Sequence, residues 1–125
     1  TTTSNQSTIN GLVQNSSLLA TFFMLVLIAP ICEEILCRGI IPKKIFRGKE
    51  KIGFVVGAIV FALLHTPTNL PSVIIYAGMS TVLTWTAYKT ERLEMSILLH
   101  MILNGVAFCL LAILVLISRN LGLSF

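Results

Sequence analysis

The apolar run from Leu18 to Ile41 contains three ionisable residues, and this combination strongly limits how the chain can fold. Glu33, Glu34 and Arg38 interrupt a stretch that is otherwise almost pure hydrocarbon. Inserting one charged side chain at the centre of a bilayer costs about 2.5–3.5 kcal/mol. We therefore expect these three side chains to face a protein interior or a water-filled cavity, and the rest of the chain to supply its walls and partners.

The composition is that of a membrane protein. The chain has 125 residues, of which 55% are hydrophobic and 11% are charged, whereas soluble domains contain about 25% charged residues. The mean hydropathy is +0.90. The net charge of +4 does not predict a nucleic-acid partner, because the cations cluster between apolar runs and form no basic helix face with exposed aromatic residues. Membrane lipid is the expected surrounding.

Four apolar runs predict an all-α, polytopic bundle with four transmembrane spans. The predicted spans are Leu18–Ile41, Ile52–His65, Pro71–Tyr88 and Met95–Ile117. The first is long enough to cross a hydrocarbon core of about 30 Å at about 1.5 Å per residue, whereas the second is short. Residues 18–125 are expected to form the functional core.

Local signals refine these spans. Pro30 predicts a kink in the first span, and Pro71 suits the first turn of a helix. Gly53 and Gly57 form a small-xxx-small pattern, which permits close helix contact. Residues 1–17 are rich in Ser, Thr, Asn and Gln, and we predict that they form an exposed, weakly structured polar segment.

The charges of the loops predict the orientation of the spans. Segment 42–51 carries five Lys or Arg residues and segment 89–94 carries two, whereas segments 1–17 and 66–70 carry none. Positively charged loops stay on the cytoplasmic side. We therefore expect 42–51 and 89–94 to be cytoplasmic, with 1–17 and 66–70 on the opposite side.

The polar residues within the spans recur at helical spacing. Glu34 and Arg38 are four residues apart, so they share a helix face and can pair, while Glu33 lies about 100° further round the helix. The same spacing relates Phe61 to His65 on the second span, and His100 to Asn104 on the fourth.

These residue types are the parts needed for peptide hydrolysis. A carboxylate and a histidine can together hold and deprotonate a water. A second histidine and an amide can donate hydrogen bonds to a developing oxyanion. Glu33, His65 and His100 could alternatively bind zinc and leave its fourth position to water, although the chain contains no HExxH motif.

Each of these residues also has a structural explanation. A histidine or asparagine within a span can be a hydrogen-bonded helix-packing residue, and Glu34 with Arg38 can be a buried structural ion pair. A chain of carboxylates and histidines within spans can also serve as a proton or ion relay, so a proton- or ion-coupled transporter is an alternative function. The occurrence of related spacings on three predicted spans favours a functional site over isolated structural roles.

The three spaced motifs resemble those of the CPBP family, the CAAX protease and bacteriocin-processing group, also called the Abi family of intramembrane proteases. The motifs are Glu33-Glu34-xxx-Arg38, Phe61-xxx-His65 and His100-xxx-Asn104, in that order, with Gly39 also fitting the first. The resemblance covers about Leu18 to Phe108. It implies an intramembrane endopeptidase, similar to the type II prenyl proteases that remove a C-terminal tripeptide from prenylated proteins.

The resemblance also implies a role for each matched residue. Glu33 would be the water-activating base, His65 would assist it, His100 and Asn104 would lie on the oxyanion side, and Glu34 with Arg38 would be the supporting pair. Both a metal-dependent and a metal-free glutamate mechanism have been suggested for the family, so zinc stays open as a cofactor. Because full members have more spans, we expect this chain to be part of a longer protein.

The resemblance further implies a peptide or prenylated protein as substrate and the bacterial plasma membrane as location. Counted from the predicted cytoplasmic ends, Glu33 lies about 15 Å deep, His100 about 10–15 Å and His65 about 18–21 Å. The depths differ by a few ångströms, and their direction suits a cavity that opens to the cytoplasm. The alternative within the family is a non-catalytic protein of bacteriocin self-immunity or a membrane scaffold.

Overall fold

The computed structural model describes residues 4–15 and 17–122, and within these ranges the chain consists of helices joined by short connections, without a strand. The predicted all-α fold is therefore confirmed. We number the helices α1 (Ser4–Asn15), α2 (Leu18–Ile45), α3 (Glu50–Leu64), α4 (Leu70–Thr90) and α5 (Leu93–Leu121).

Three of these helices, α2, α4 and α5, are long and apolar enough to cross a membrane. Helix α3 has 15 residues, which at about 1.5 Å per residue gives about 22 Å, less than the hydrocarbon core of about 30 Å. The predicted span Ile52–His65 is thus a helix, but one too short to cross alone. By length, the prediction of four spans is one too many, because Pro67 and the basic turn before Glu50 limit α3 at its two ends.

Helix α2 continues beyond Ile41, where the first span was predicted to end. Its turns from Phe23 to Ile28 and from Ile35 to Ile45 are π-helical, so each N–H donates to the carbonyl five residues earlier. A proline ring clashes with the carbonyl four residues earlier in a regular α-helix, and the wider turn accommodates Pro42. Lys43 and Lys44 consequently lie in the last turn of the helix rather than in a loop.

Helix α3 packs its backbone directly against α2 through two glycines. A Cβ atom on Gly53 would lie 2.5 Å from the Cα of Pro42, and one on Gly57 would overlap the carbonyl oxygen of Cys37. Only a residue without a side chain fits at this distance, so the predicted close contact through the small-xxx-small pattern is confirmed.

Helix α4 begins with a capping box. The Asn69 side chain accepts from the Ser72 N–H at 2.9 Å, and Ser72 Oγ accepts from the Asn69 N–H at 3.1 Å. Pro71 lies in the first turn, as its position in the sequence predicted. The cap fixes the residue at which α4 starts, and it thereby fixes the positions of the polar residues along the helix axis.

The N-terminal segment differs from its prediction, because residues 4–15 form helix α1. The Ser4 hydroxyl donates to the Thr66 carbonyl at 3.2 Å, and Asn5 Nδ2 donates to the Tyr76 hydroxyl at 3.0 Å. Polar composition alone suggested weak structure, but these contacts tie α1 to the end of α3 and to α4.

Polar side chains are concentrated inside the bundle, and large apolar side chains cover its outside. The buried polar residues include Glu34, Arg38, Ser80, Ser96 and His100, whereas many leucine, isoleucine and valine side chains of α2, α4 and α5 are exposed. This distribution is typical of a protein surrounded by lipid. The bundle therefore encloses a polar centre rather than a hydrocarbon core alone.

Candidate active site

Arg38 of α2 is buried at the centre of the polar cluster, and all three nitrogens of its guanidinium donate hydrogen bonds. Its Nη1 donates to Glu34 Oε1 at 3.0 Å, so the predicted pairing is confirmed. Its Nη2 donates to the carbonyl and hydroxyl oxygens of Ser80, both at 2.9 Å, and its Nε donates to Thr84 Oγ1 at 3.2 Å. The guanidinium also lies 4.4 Å from the ring centroid of Phe61, so one arginine joins α2, α3 and α4.

Glu34 joins the same cluster to α5. Its Oε1 accepts from His100 Nδ1 at 2.8 Å, and its Oε2 accepts from the Ser96 hydroxyl. The side chains of Glu34 and Arg38 are both fully buried, at 0% exposure. A buried ion pair is tolerated only when its remaining polar atoms are hydrogen-bonded, and these partners meet that requirement.

Glu33 points away from this network and faces the two histidines. Its Oε2 lies 3.7 Å from His65 Nε2 and 3.7 Å from His100 Nε2. These distances exceed those of direct hydrogen bonds, which are about 2.7–3.2 Å. Within the described part of the chain, Glu33 Oε2 and His100 Nε2 are the buried side-chain polar atoms without a hydrogen-bond partner. Glu33 is 27% exposed, so it is the accessible member of the carboxylate pair.

His65 lies at the C-terminal end of α3, where its tautomer is set by the backbone. Its Nδ1 is 2.8 Å from the Phe61 carbonyl oxygen, which can only accept a hydrogen bond. Nδ1 therefore carries the proton, and in the neutral ring the lone pair is on Nε2, which faces Glu33.

Asn104 lies one turn after His100 on α5, but its side-chain amide bonds to the backbone of α2. Its Nδ2 donates to the Leu25 carbonyl at 2.9 Å. In this π-helical turn the Ala29 N–H bonds to Met24, and the next N–H, which would serve Leu25, is missing because residue 30 is proline. Asn104 therefore satisfies a carbonyl that the proline leaves without a donor, and its second N–H is available for other partners.

The structure thus brings the sequence-predicted residues together in two groups. One group consists of Glu33, His65 and His100, whose polar atoms converge on one point. In the other group, Glu34 bonds to Nδ1 of His100 and pairs with Arg38. These residues come from α2, α3 and α5, as expected for three separate motifs. Asn104 contacts the backbone of α2 instead of the converging atoms.

Helix α4 supplies partners that the sequence analysis did not identify. Ser80 and Thr84 bind Arg38, and the ring of Tyr76 stacks on His65 with centroids 4.6 Å apart. A signal for them was present in the sequence, since polar residues recur at every fourth position along this helix, at Ser72, Tyr76, Ser80 and Thr84. On α5, Ser96 likewise precedes His100 by four residues.

Charge balance restricts the protonation states of the cluster. Two carboxylates and one guanidinium leave a net charge of −1, which is costly in an apolar bundle. One further proton, on Glu33 or on either histidine, would bring the charge of the cluster to zero.

The ionisable residues of the cluster do not form a metal site. Across residues 4–15 and 17–122, no group of three or more His, Cys, Asp or Glu side chains is arranged to hold a metal ion. Glu33, His65 and His100, the set predicted for zinc, do not meet this geometry.

A large groove borders this cluster through Ser80 and Thr84, which are among its lining residues. It has a volume of about 740 Å³, lies between α3 and α4, and is lined mainly by apolar residues such as Val55, Ile59 and Val73. A smaller recess of about 320 Å³ reaches Arg38 from the end of the bundle that carries Lys43 and Lys44.

Fold and site together define an α-helical membrane protein whose bundle encloses a cluster of glutamate, histidine and arginine side chains. The chain belongs to the type II CAAX prenyl endopeptidase Rce1-like family, whose model matches residues 15–106. The family resemblance predicted from the three motifs is therefore confirmed. The matched range includes every residue of the cluster described above.

Several curated proteins are similar to this chain. The UPF0177 protein YaiH of Lactococcus lactis subsp. lactis (strain IL1403) is 39% identical over 84 residues, which are 67% of this chain and 34% of YaiH. The UPF0177 protein YvdC of the same strain is 36% identical over 105 residues, or 82% of this chain and 39% of YvdC. The chain thus spans little more than a third of the length of these relatives. No solved structure matches.

Proposed function

We propose that this chain is the catalytic core of an intramembrane endopeptidase that hydrolyses a peptide bond with a water activated by Glu33 and His65. One observation carries the proposal. The Glu33 carboxylate and two imidazole Nε2 atoms converge at 3.7 Å without bonding each other directly. Polar atoms more than about 3.5 Å apart can be bridged by a water, and the family membership favours peptide hydrolysis over other uses of that water.

The first step follows from the orientation of these atoms. Glu33 and the Nε2 lone pair of His65 accept hydrogen bonds from the water and draw its oxygen towards the carbonyl carbon of the substrate. As the new C–O bond forms, one proton of the water moves to Glu33. The backbone bond at Nδ1 keeps the His65 ring in the required tautomer.

The second step needs a hydrogen-bond donor for the oxyanion. His100 is suited to this role as an imidazolium, because Glu34 accepts from its Nδ1 and stabilises the positive charge. Its Nε2–H would then donate to the oxyanion, and the second N–H of Asn104 would add to it. Collapse of the intermediate breaks the C–N bond, and the proton held by Glu33 passes to the departing amine.

The substrate class and the orientation are part of the same proposal. The family suggests a membrane-anchored peptide or a prenylated protein in a bacterial plasma membrane. The positive charge of 42–51 and 89–94 supports a cytoplasmic location for these segments. The recess at this end reaches Arg38 of the supporting pair, but Glu33, His65 and His100 do not line it.

The test is a cleavage assay on the full-length protein reconstituted in lipid vesicles. The substrates are a prenylated peptide ending in CAAX and a membrane-anchored bacteriocin leader peptide. Glu33→Gln removes the base with almost no change in volume. Glu50→Gln is the matched control, because Glu50 is a partly exposed glutamate outside the cluster, where its carboxylate accepts from the Gly48 N–H.

Product from the wild type and from Glu50→Gln, but none from Glu33→Gln, would support the mechanism. Full activity of Glu33→Gln would refute it. A chelator arm separates the metal-free mechanism from a metal-dependent one, since activity that is lost with chelator and restored by zinc requires a metal. Bacteriocin immunity that survives Glu33→Gln would instead favour the non-catalytic alternative.

A further inference from the structure

The position of His65 depends on more than its hydrogen bond to the backbone. The bond from Nδ1 to the Phe61 carbonyl fixes one point of the ring, but the ring could still swing about that point. His65 directly follows the last residue of α3 and is 15% exposed, so the restraints that α3 supplies come from Phe61. Two aromatic rings pack against it, those of Phe61 at 4.5 Å and Tyr76 at 4.6 Å between centroids.

Tyr76 is the better placed of the two rings to control the plane of the imidazole. The two planes differ by only 28°, which is a stacked arrangement. The Tyr76 ring is buried, and its hydroxyl accepts a hydrogen bond from Asn5 Nδ2 of α1 at 3.0 Å. The Tyr76 side chain is therefore held by a hydrogen bond at its hydroxyl and by stacking on the face of its ring.

The connection after His65 is held in place as well. Thr66 has a φ of 46°, which is a rare conformation for a β-branched residue. Such strain persists only where the surroundings impose it, and here the Ser4 hydroxyl bonds to the Thr66 carbonyl. Helix α1 thus contacts both Tyr76 and the residue that follows His65.

We propose that Tyr76 is a positioning residue of the active site, whose ring holds the His65 imidazole with Nε2 towards Glu33. This inference rests on the proposed hydrolytic function. It assigns to α4 a residue outside the three motifs.

The experiment compares variants at the two tyrosines of the chain, both of which lie on α4. Tyr76→Leu removes the stacking ring, and Tyr76→Phe keeps the ring but loses the hydroxyl. Tyr88→Leu is the matched control, because Tyr88 contacts Phe54 and Trp85 and not the cluster. Each variant is made in the full-length protein and assayed for cleavage in vesicles.

We expect kcat of Tyr76→Leu to fall about ten- to a hundredfold with KM nearly unchanged, because misplacing a catalytic group affects the reaction more than binding. Tyr76→Phe should restore most of kcat, and Tyr88→Leu should resemble the wild type. Equal losses in Tyr76→Phe and Tyr76→Leu, or a loss in Tyr88→Leu as large as in Tyr76→Leu, would overturn the proposal. Tyr76→Met replaces Tyr76→Leu if the latter does not accumulate as folded protein.

A second readout does not depend on cleavage. Diethyl pyrocarbonate modifies accessible imidazoles, and peptide mass spectrometry measures its rate at His65. Loss of the stacking ring should raise this rate several-fold in Tyr76→Leu and leave it unchanged in Tyr88→Leu. An unchanged rate in Tyr76→Leu would overturn the positioning role. If the wild type cleaves no substrate, the proposed function fails, while the modification rates still decide whether Tyr76 holds His65.

Discussion

Replacing Arg38 by methionine should destabilise the protein strongly, because it removes the guanidinium that pairs with the buried Glu34 carboxylate. The guanidinium donates to Glu34, to two oxygens of Ser80 and to Thr84. Methionine fills a similar volume but makes none of these bonds. Removing one partner of a buried ion pair costs about 3–5 kcal/mol, and we expect Arg38→Met to fall in this range.

The double variant Arg38→Met/Glu34→Gln tests the cause of this loss. The glutamine is neutral, so no uncompensated charge remains; its one amide oxygen can accept from His100, and its amide nitrogen can donate to the Ser96 hydroxyl oxygen. We expect the double variant to be more stable than Arg38→Met alone by about 2 kcal/mol, a coupling typical of residues in direct contact. The measurement is equilibrium unfolding of each variant in detergent micelles, completed as a double-mutant cycle.

The chain contains a matched exposed pair as a control. Arg92 Nε lies 2.7 Å from Glu94 Oε1, and both side chains are more than half exposed. The same substitutions at these positions should leave stability unchanged, because water screens the pair. A loss of less than about 1 kcal/mol in Arg38→Met, or a double variant no more stable than the single one, would refute the argument from buried charge.

The remaining predictions concern backbone packing and the amide near the site. Gly57→Ala should destabilise the protein by about 1–3 kcal/mol, because the added Cβ would overlap the Cys37 carbonyl oxygen. Gly78→Ala is the control and should not destabilise it, since nothing lies within 4 Å of the Cβ position there. Thermal unfolding of both variants would check this. Asn104→Leu should cost about 1–3 kcal/mol by leaving the Leu25 carbonyl without its donor, and unchanged stability with lost cleavage would instead indicate a purely catalytic amide.

The sequence predicted the helical class and three of the spans because the relevant signal is local. Hydropathy and length suffice to identify a helix that can cross a bilayer, as for α4 and α5. Hydropathy alone also predicted a span for the second apolar run, because a run can be strongly apolar and still be too short to cross the membrane. It also missed the last turn of α2, because a proline normally ends a helix and the π-helical register that admits Pro42 leaves no mark in the composition.

The site was predicted to a similar extent. The i,i+4 spacing alone placed Glu34 with Arg38 on one helix face, and it set Glu33 apart from them. The spacing could not reveal the partners on other helices. Ser80 was identified only from its contact with Arg38, although the four-residue polar period of α4 was visible in the sequence.

By itself, the sequence determined that this chain is an α-helical membrane protein with ionisable groups inside its spans, because the hydrophobic effect and helix periodicity act along the chain. Tertiary structure decided which carboxylate is buried and which is accessible, because these properties depend on atoms of neighbouring helices. Glu34 is neutralised by Arg38 and held by α5, whereas Glu33 is left facing His65 and His100. That division of two adjacent residues exists only once α2, α3 and α5 have packed together.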